Sequence, residues 1–132
     1  MPVVDSSVVL AFLLPDEDGE TFEALVDASE PLVAPDLLNV EATNTIVTSV
    51  RRRRFSPEVG TRIASTVTAL PIERVPTTPE TLASAFAFAQ KHNLTAYDAL
   101  YLALAKARDL PLASYDRRLK AAAVAEGLAT LP

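Results

Sequence analysis

The order of apolar runs along this chain predicts an α/β fold, a three-layer α/β/α sandwich around a central parallel sheet. Three observations carry that expectation. Short β-like runs at Pro2–Val4, Pro31–Ala34, Ile72–Val75, Leu112–Ser114 and Leu128–Leu131 alternate with longer helical stretches, and strands separated by helical crossovers pair in parallel. Pro, Gly and hydroxyl residues punctuate the boundaries where helices start and stop. No repeat, low-complexity tract or linker divides the 132 residues, so one domain over residues 1–132 is expected. That length buries a core without staples.

Each element has its own local reason. After the first strand, Ser6–Leu13 is predicted helical, and Pro15–Gly19 is a turn rich in acids. Thr21–Ala28 has the spacing of an amphipathic helix. Pro35 and Asp36 set up a helix running to about Arg53. Ser56-Pro57-Glu58 is a helix start, with a hydroxyl cap and Pro at the first position. Pro71 and Pro76 bracket the third strand. Helices over Pro79–Lys91, Ala96–Arg108 and Arg117–Glu126 follow, the last stopped by Gly127.

Composition removes several classes of function. Apolar residues make up 49% and charged residues 22%, ordinary for a globular protein. With Cys absent and His92 the one histidine, disulfides, thiolate zinc and cysteine nucleophiles are excluded, and a Ser-His-Asp triad is weakened. The longest apolar runs, Val8–Leu14 and Ala99–Ala105, fall far short of the ~20 residues that span a bilayer. No basic residue precedes the first apolar run, unlike a secretory leader, so a cytoplasmic, reduced setting is expected. A net charge of −5 argues against a generally basic nucleic-acid surface. Acidity gathered in a metal site would still suit a phosphate substrate.

Three carboxylates stand alone in stretches that should be buried or half-buried. Asp5 is the only charged side chain among the first fifteen residues, Glu41 the only one from Leu37 to Val50, and Asp98 the only one from Asn93 to Ala105. An isolated carboxylate removed from water costs roughly several kcal/mol unless something compensates it. Without His or Cys ligands, the fitting compensator is a hard cation such as Mg²⁺ or Mn²⁺.

Each acid also has a bland reading. Asp5 and Asp116 could cap the helices that follow them, with Arg117, Arg118 and Lys120 screening Asp116. Glu41 could belong to a solvated face, yet it shares its strip with neutral Asn44, Thr45 and Thr48, which better suits a cleft wall. Asp98 could close a variant capping box with Thr95, but the helix beyond it is apolar on every face, and a buried helix end still needs a partner for its acid. Asp5 and Asp116 also follow strands, at the sheet edge where open α/β sheets bind ligands.

Other candidates are weaker. His92 suits a helix C-terminus, where the dipole favours a cation. The Arg51–Arg54 run is first explained by the same dipole and by solvation, with phosphate or acidic-partner contact as the minority reading. Asp16, Glu17, Asp18 and Glu20 form a solvated turn, and Ser6 and Ser7 have no base in view. A Gly-rich phosphate loop is missing.

Four segments together resemble the PIN-domain family. They are Val3-Val-Asp5-Ser-Ser7, Pro35-Asp-Leu-Leu-Asn-Val-Glu41-Ala-Thr-Asn44, Thr95-Ala-Tyr-Asp98-Ala-Leu-Tyr-Leu-Ala-Leu-Ala105 and Leu112-Ala-Ser-Tyr-Asp116-Arg-Arg-Leu119. Order and spacing agree over nearly the whole chain, and the third block is most similar to the VapC toxins of VapBC toxin–antitoxin pairs. The resemblance implies a PIN-like parallel sheet with Asp5, Glu41, Asp98 and Asp116 gathered at its C-terminal edge as catalytic, Mg²⁺- or Mn²⁺-binding acids. It implies that Ser7 and Ser114 orient carboxylates or water and that Asn44 supports Glu41. It further implies an endoribonuclease that leaves a 5′-phosphate and a 3′-hydroxyl, acting on RNA such as a tRNA or rRNA loop. A cognate antitoxin and a homodimer belong to the same implication, and no membrane does. Two alternatives stay open at this point, an RNA-processing PIN nuclease without an antitoxin and a non-catalytic interaction module whose acids bind a basic peptide.

Overall fold

In the computed structural model all 132 residues are described, and their elements follow the expected order. They are β1 (Val3–Val4), α1 (Ser6–Leu13), α2 (Glu20–Asp27), β2 (Leu32–Pro35), α3 (Leu37–Arg51), α4 (Pro57–Thr66), β3 (Ile72–Val75), α5 (Pro79–His92), α6 (Ala96–Arg108), β4 (Leu112–Ala113), α7 (Arg117–Ala125) and β5 (Thr130–Leu131). A 3₁₀ turn over Val67–Ala69, not expected from the local residues, extends α4 toward β3. The strands form one sheet in the order β3-β2-β1-β4-β5, every pair parallel. No helix is long and apolar enough to cross a membrane.

Local chemistry sets these boundaries. Ser56 and Thr78 accept backbone N–H bonds at the starts of α4 and α5, each followed by Pro. Thr78 and Thr81 complete a reciprocal capping box. Asn93 and Asp109 end α5 and α6 in the left-handed conformation. Gly127, at φ 81°, ends the turn after α7, a conformation with little cost only for glycine.

Strand order and handedness then place the site. From β1 the chain moves outward to β2 and β3, then returns across the sheet to β4 and β5. Right-handed crossovers put α1–α4 on one face and α5–α7 on the other. Packing agrees, since α1 meets α2 and α3, α3 meets α4, and α6 meets α5 and α7. β1 is therefore the switch point, flanked by β2 and β4, and the crevice beyond its carboxyl end is the expected ligand position.

The main core joins Val3, Val4, Val33 and Leu112 of the sheet with Val8, Val9, Leu38, Tyr101 and Leu102 of the helices. Every residue from Ala99 to Ala105 is buried, as a helix apolar on all sides requires. Ala85, Ala99 and Ala103 let α5 and α6 pack closely.

Two surface expectations change. The turn after α1 is more than solvated, because the Arg54 guanidinium donates to Asp16 at 2.8 Å and to Glu17 at 3.1 Å. α3 ends at Arg51, so the basic run belongs mostly to the loop beyond it, with Arg53 at positive φ. Arg54 is there for the turn and not for the dipole.

Candidate active site at the sheet edge

The β1–β4 edge is stitched by hydroxyl groups around one carboxylate. Asp5 leaves β1 in extended conformation and caps α1, its Oδ1 accepting from Val8 N at 3.2 Å and from the Ser7 hydroxyl at 2.6 Å. The Ser114 hydroxyl, just past β4, donates to Asp5 Oδ2. Ser114 Oγ in turn accepts from Asp116 N at 2.9 Å, and Ser7 Oγ accepts from Tyr115 N at 3.0 Å. Asp5 is 3% exposed and Ser114 fully buried, so this network fixes the carboxylate's position.

The other acids arrive from different helices. Asp116 caps α7, accepting from Leu119 N at 3.0 Å. Asp98 lies in the first turn of α6, where its own N–H is taken by Thr95 Oγ1 at 3.1 Å. Glu41 sits on α3, half-buried, and accepts from the Tyr101 hydroxyl at 2.6 Å. For Asp5 and Asp116 the cap and the site are therefore the same residue in two roles. Arg117, Arg118 and Lys120 form no ion pair with Asp116, and no ion pair of the molecule includes any of the four acids.

Electrostatics tie the group together. Burial raises the Asp5 carboxyl above its usual range, against the lowering effect of its serine and backbone donors. Burial also raises Glu41, opposed by Tyr101 and reinforced by Asp98 and Asp5. Asp98 is raised by burial first, then by Asp116 and Asp5. Negative charge thus accumulates in a half-buried place with no protein cation to answer it. No three of the carboxylates stand close enough to form a closed cation cage. The arrangement is open.

A groove of about 370 Å³ leads from this cluster, lined by Ser6, Leu37, Val40, Glu41, Asn44, Thr45 and Tyr97. Of the neutral strip beside Glu41, Asn44 and Thr45 line the groove, whereas Thr48 does not and donates its hydroxyl to the Asn44 carbonyl at 3.0 Å. Asn44 lines the groove without bonding to Glu41, whose partner is Tyr101 instead. That tyrosine escaped the sequence reading. Its signal was available, since a phenol within an all-apolar helix needs a hydrogen-bond acceptor and stands one turn after Asp98. His92 lies away from the site, its Nε2 2.8 Å from Glu126.

Comparison with known proteins shows the family of the fold. The PIN-domain family model matches residues 3–125. The chain belongs to the PIN-domain family. Among its relatives is Ribonuclease VapC3 of Pyrobaculum aerophilum, 33% identical over 89% of this chain and 90% of that protein. A crystal structure of a protein from Pyrobaculum aerophilum superposes with a TM-score of 0.75 at 24% identity, covering 98% of this chain and 87% of that one. A toxin–antitoxin complex from Klebsiella pneumoniae contains the same fold, with a TM-score of 0.66, 14% identity and coverage of 92% and 91%. Within the PIN family the sheet-edge acids are this chain's candidate active site.

Proposed function

We propose that this chain is an Mg²⁺- or Mn²⁺-dependent endoribonuclease that acts as the toxin of a toxin–antitoxin pair. The observation that carries the reading is Asp5, a buried carboxylate held by three donors at the switch point, with Glu41 and Asp98 raised around it and no cation from the chain. The ribonuclease name of the Pyrobaculum aerophilum relative supports the reaction class.

The residues fit a hard divalent cation. Their donors are oxygen only, and Mg²⁺ binds through one or two carboxylates plus waters, which an open cluster permits. Asp5, Glu41, Asp98 and Asp116 would hold the metal together, one or two directly and the others through its waters. Bound there, such an ion would supply an activated water and positive charge for the phosphate oxygens. The chain supplies the geometry. Ser7 and Ser114 hold the Asp5 carboxylate still, and Tyr101 fixes Glu41 on the groove side. The RNA must reach the edge as an unpaired segment, whose backbone can bend into a crevice.

The antitoxin is part of the proposal. The Klebsiella pneumoniae complex supports it at the level of fold, and an Arg or Lys entering the acidic cluster could replace metal charge through charge-assisted hydrogen bonds. A homodimer is also proposed, with exposed Leu82 and Phe86 one turn apart on α5 as an available apolar patch.

The purified chain is expected to cut single-stranded RNA with Mg²⁺ or Mn²⁺ and to stop with EDTA. An absence of metal-stimulated cleavage across varied RNAs, tRNA included, would overturn the nuclease and leave an interaction module. Co-expression with a small reading frame encoded directly upstream is expected to copurify a partner that slows cleavage. A partner that binds without slowing it would end the toxin assignment alone.

A further inference from the structure

All three tyrosines of the chain fall at the acidic site. Tyr101 is buried on Glu41, and Tyr115 lies between Ser114 and Asp116 with its N–H on Ser7. Tyr97 differs. It directly precedes Asp98, makes no side-chain hydrogen bond, is 59% exposed and lines the groove shared with Glu41. Opposite chemistries meet there. Leu37 and Val40 supply apolar wall, Val40 being 69% exposed, while Asn44 and Thr45 add an amide and a hydroxyl with no side-chain partner in the protein.

The lining decides among occupants. No Lys or Arg borders the groove, and Glu41 does, so neither a bare phosphate nor an acidic peptide suits it. A neutral, flat group with hydrogen-bonding edges does. Aromatic side chains stack on unpaired bases, and an Asn amide offers a donor and an acceptor together to a base edge. The groove is continuous with the acidic cluster through Glu41, so a base held in it belongs to a nucleotide near the phosphate under attack.

We propose that this groove is a nucleobase subsite, in which Tyr97 stacks on an unpaired base beside the scissile phosphate and Asn44 reads its edge. The inference rests on the RNA-cleaving reading above and adds to it where the substrate is gripped. Tyr97 and Asn44 are positioning and specificity residues, since they act on the base and not on the reacting atoms. Thr45 is placed to make a second edge contact.

Short single-stranded RNAs carrying 2-aminopurine at successive positions test this, with Ca²⁺ in place of Mg²⁺ during binding. At one position the fluorescence is expected to quench on binding to the unmodified chain. Tyr97→Ala is expected to abolish that quench and to raise Kd and KM by about tenfold while kcat changes little. Tyr97→Phe, which keeps the ring, is expected to restore both. Val124→Ala, at an exposed apolar side chain outside the groove, is expected to change neither. An abasic nucleotide at the quenched position should weaken binding to the unmodified chain but cost Tyr97→Ala nothing further. Asn44→Ala is expected to flatten the preference among bases there.

Equal RNA binding and cleavage by the unmodified chain and Tyr97→Ala would overturn the subsite and leave the nuclease standing. So would Tyr97→Ala losing only a protein partner. An unmodified chain that neither binds nor cuts RNA would bring down both.

Discussion

At two places the molecule sets carboxylates among helix ends, a cluster at the sheet edge and Glu126 alone elsewhere, and it treats them oppositely. Where α5 ends beside α7, Glu126 takes a hydrogen bond from Lys91 at 2.7 Å and lies 2.8 Å from His92 Nε2. Lys91 first, then His92, holds its carboxyl below the usual range. At the sheet edge Asp5, Glu41 and Asp98 are raised by burial, and Glu41 and Asp98 by neighbouring acids as well. The chain has bases to spare, for Arg51, Arg52 and Arg53 are exposed and enter no ion pair. Their absence from the edge is a matter of placement, not supply. A fold optimised for stability alone would not leave this arrangement, because unpaired buried charge is destabilising.

The comparison breaks first at the acids themselves. Asp5→Asn or Asp98→Asn is expected to lower RNA cleavage roughly a hundredfold or more, since each removes charge from the proposed metal site. Glu126→Gln, at the paired site, should leave cleavage unchanged. Comparable losses from all three, measured as kcat/KM on one RNA, would show that the two places do not differ in function.

A smaller effect is expected one step outward. Ser114→Ala takes a donor from Asp5 and an acceptor from Asp116 N at once. Cleavage should fall about 10- to 100-fold, as for groups that orient metal ligands. Stability should fall by about 1–3 kcal/mol, the usual cost of buried polar groups left unpaired. Denaturant unfolding checks the second figure. Full cleavage by a folded Ser114→Ala chain would mean that Asp5 needs no such positioning.

Much of this was legible beforehand. Strand and helix order followed from alternating apolar runs and Pro, Gly and hydroxyl punctuation, because those signals are local. The third strand and the α6 helix have the predicted bounds. Asp5, Glu41 and Asp98 could be singled out because a lone charge in an apolar stretch is conspicuous in sequence. Asp116 is not conspicuous in that way, since bases follow it directly; its place after a strand and the PIN-domain resemblance pointed to it instead, and the fold shows that none of those bases pairs with it. Partnerships across long separations were equally hidden. Tyr101 with Glu41, Arg54 with Asp16 and His92 with Glu126 join residues that only the tertiary structure brings together. Asn44, one turn from Glu41, makes no hydrogen bond to it, and Tyr101 from another helix holds that carboxylate.

Acid–base stability sharpens the contrast further. A carboxyl raised on folding binds its proton more tightly when folded, so the metal-free fold loses stability as pH climbs from the usual 3.8 through the raised value of Asp98. Asp98→Asn removes that loss. Its Tm should match the parent's at acid pH and rise above it, by about a few degrees, as pH passes out of the carboxylate range. Saturating Mg²⁺ should raise the parent's Tm and narrow the gap, by binding only the folded site. A metal-free Asp98→Asn chain that melts several degrees lower would mean that its carboxylate serves as a structural cap.

The smallest effect belongs to the paired acid and carries the opposite sign. The lowered carboxyl of Glu126 contributes stability that is present above its usual 4.5 and is lost as pH falls through the still lower folded value. Because a carboxylate only accepts, the nearby His92 Nε2 must carry the hydrogen between them. Glu126→Gln keeps an acceptor for one of these neighbours but removes the charge that favours both. Its Tm should sit a degree or two, roughly, below the parent's at neutral pH, given how little partly solvated pairs contribute. The deficit should close on acidification, where the parent's carboxyl also becomes neutral. Melting curves across the carboxylate range read both signs in one experiment, Asp98→Asn gaining on the parent as pH rises and Glu126→Gln falling behind. If the two variants moved in the same direction, pairing by the chain would not be what separates Glu126 from the acids of the sheet edge.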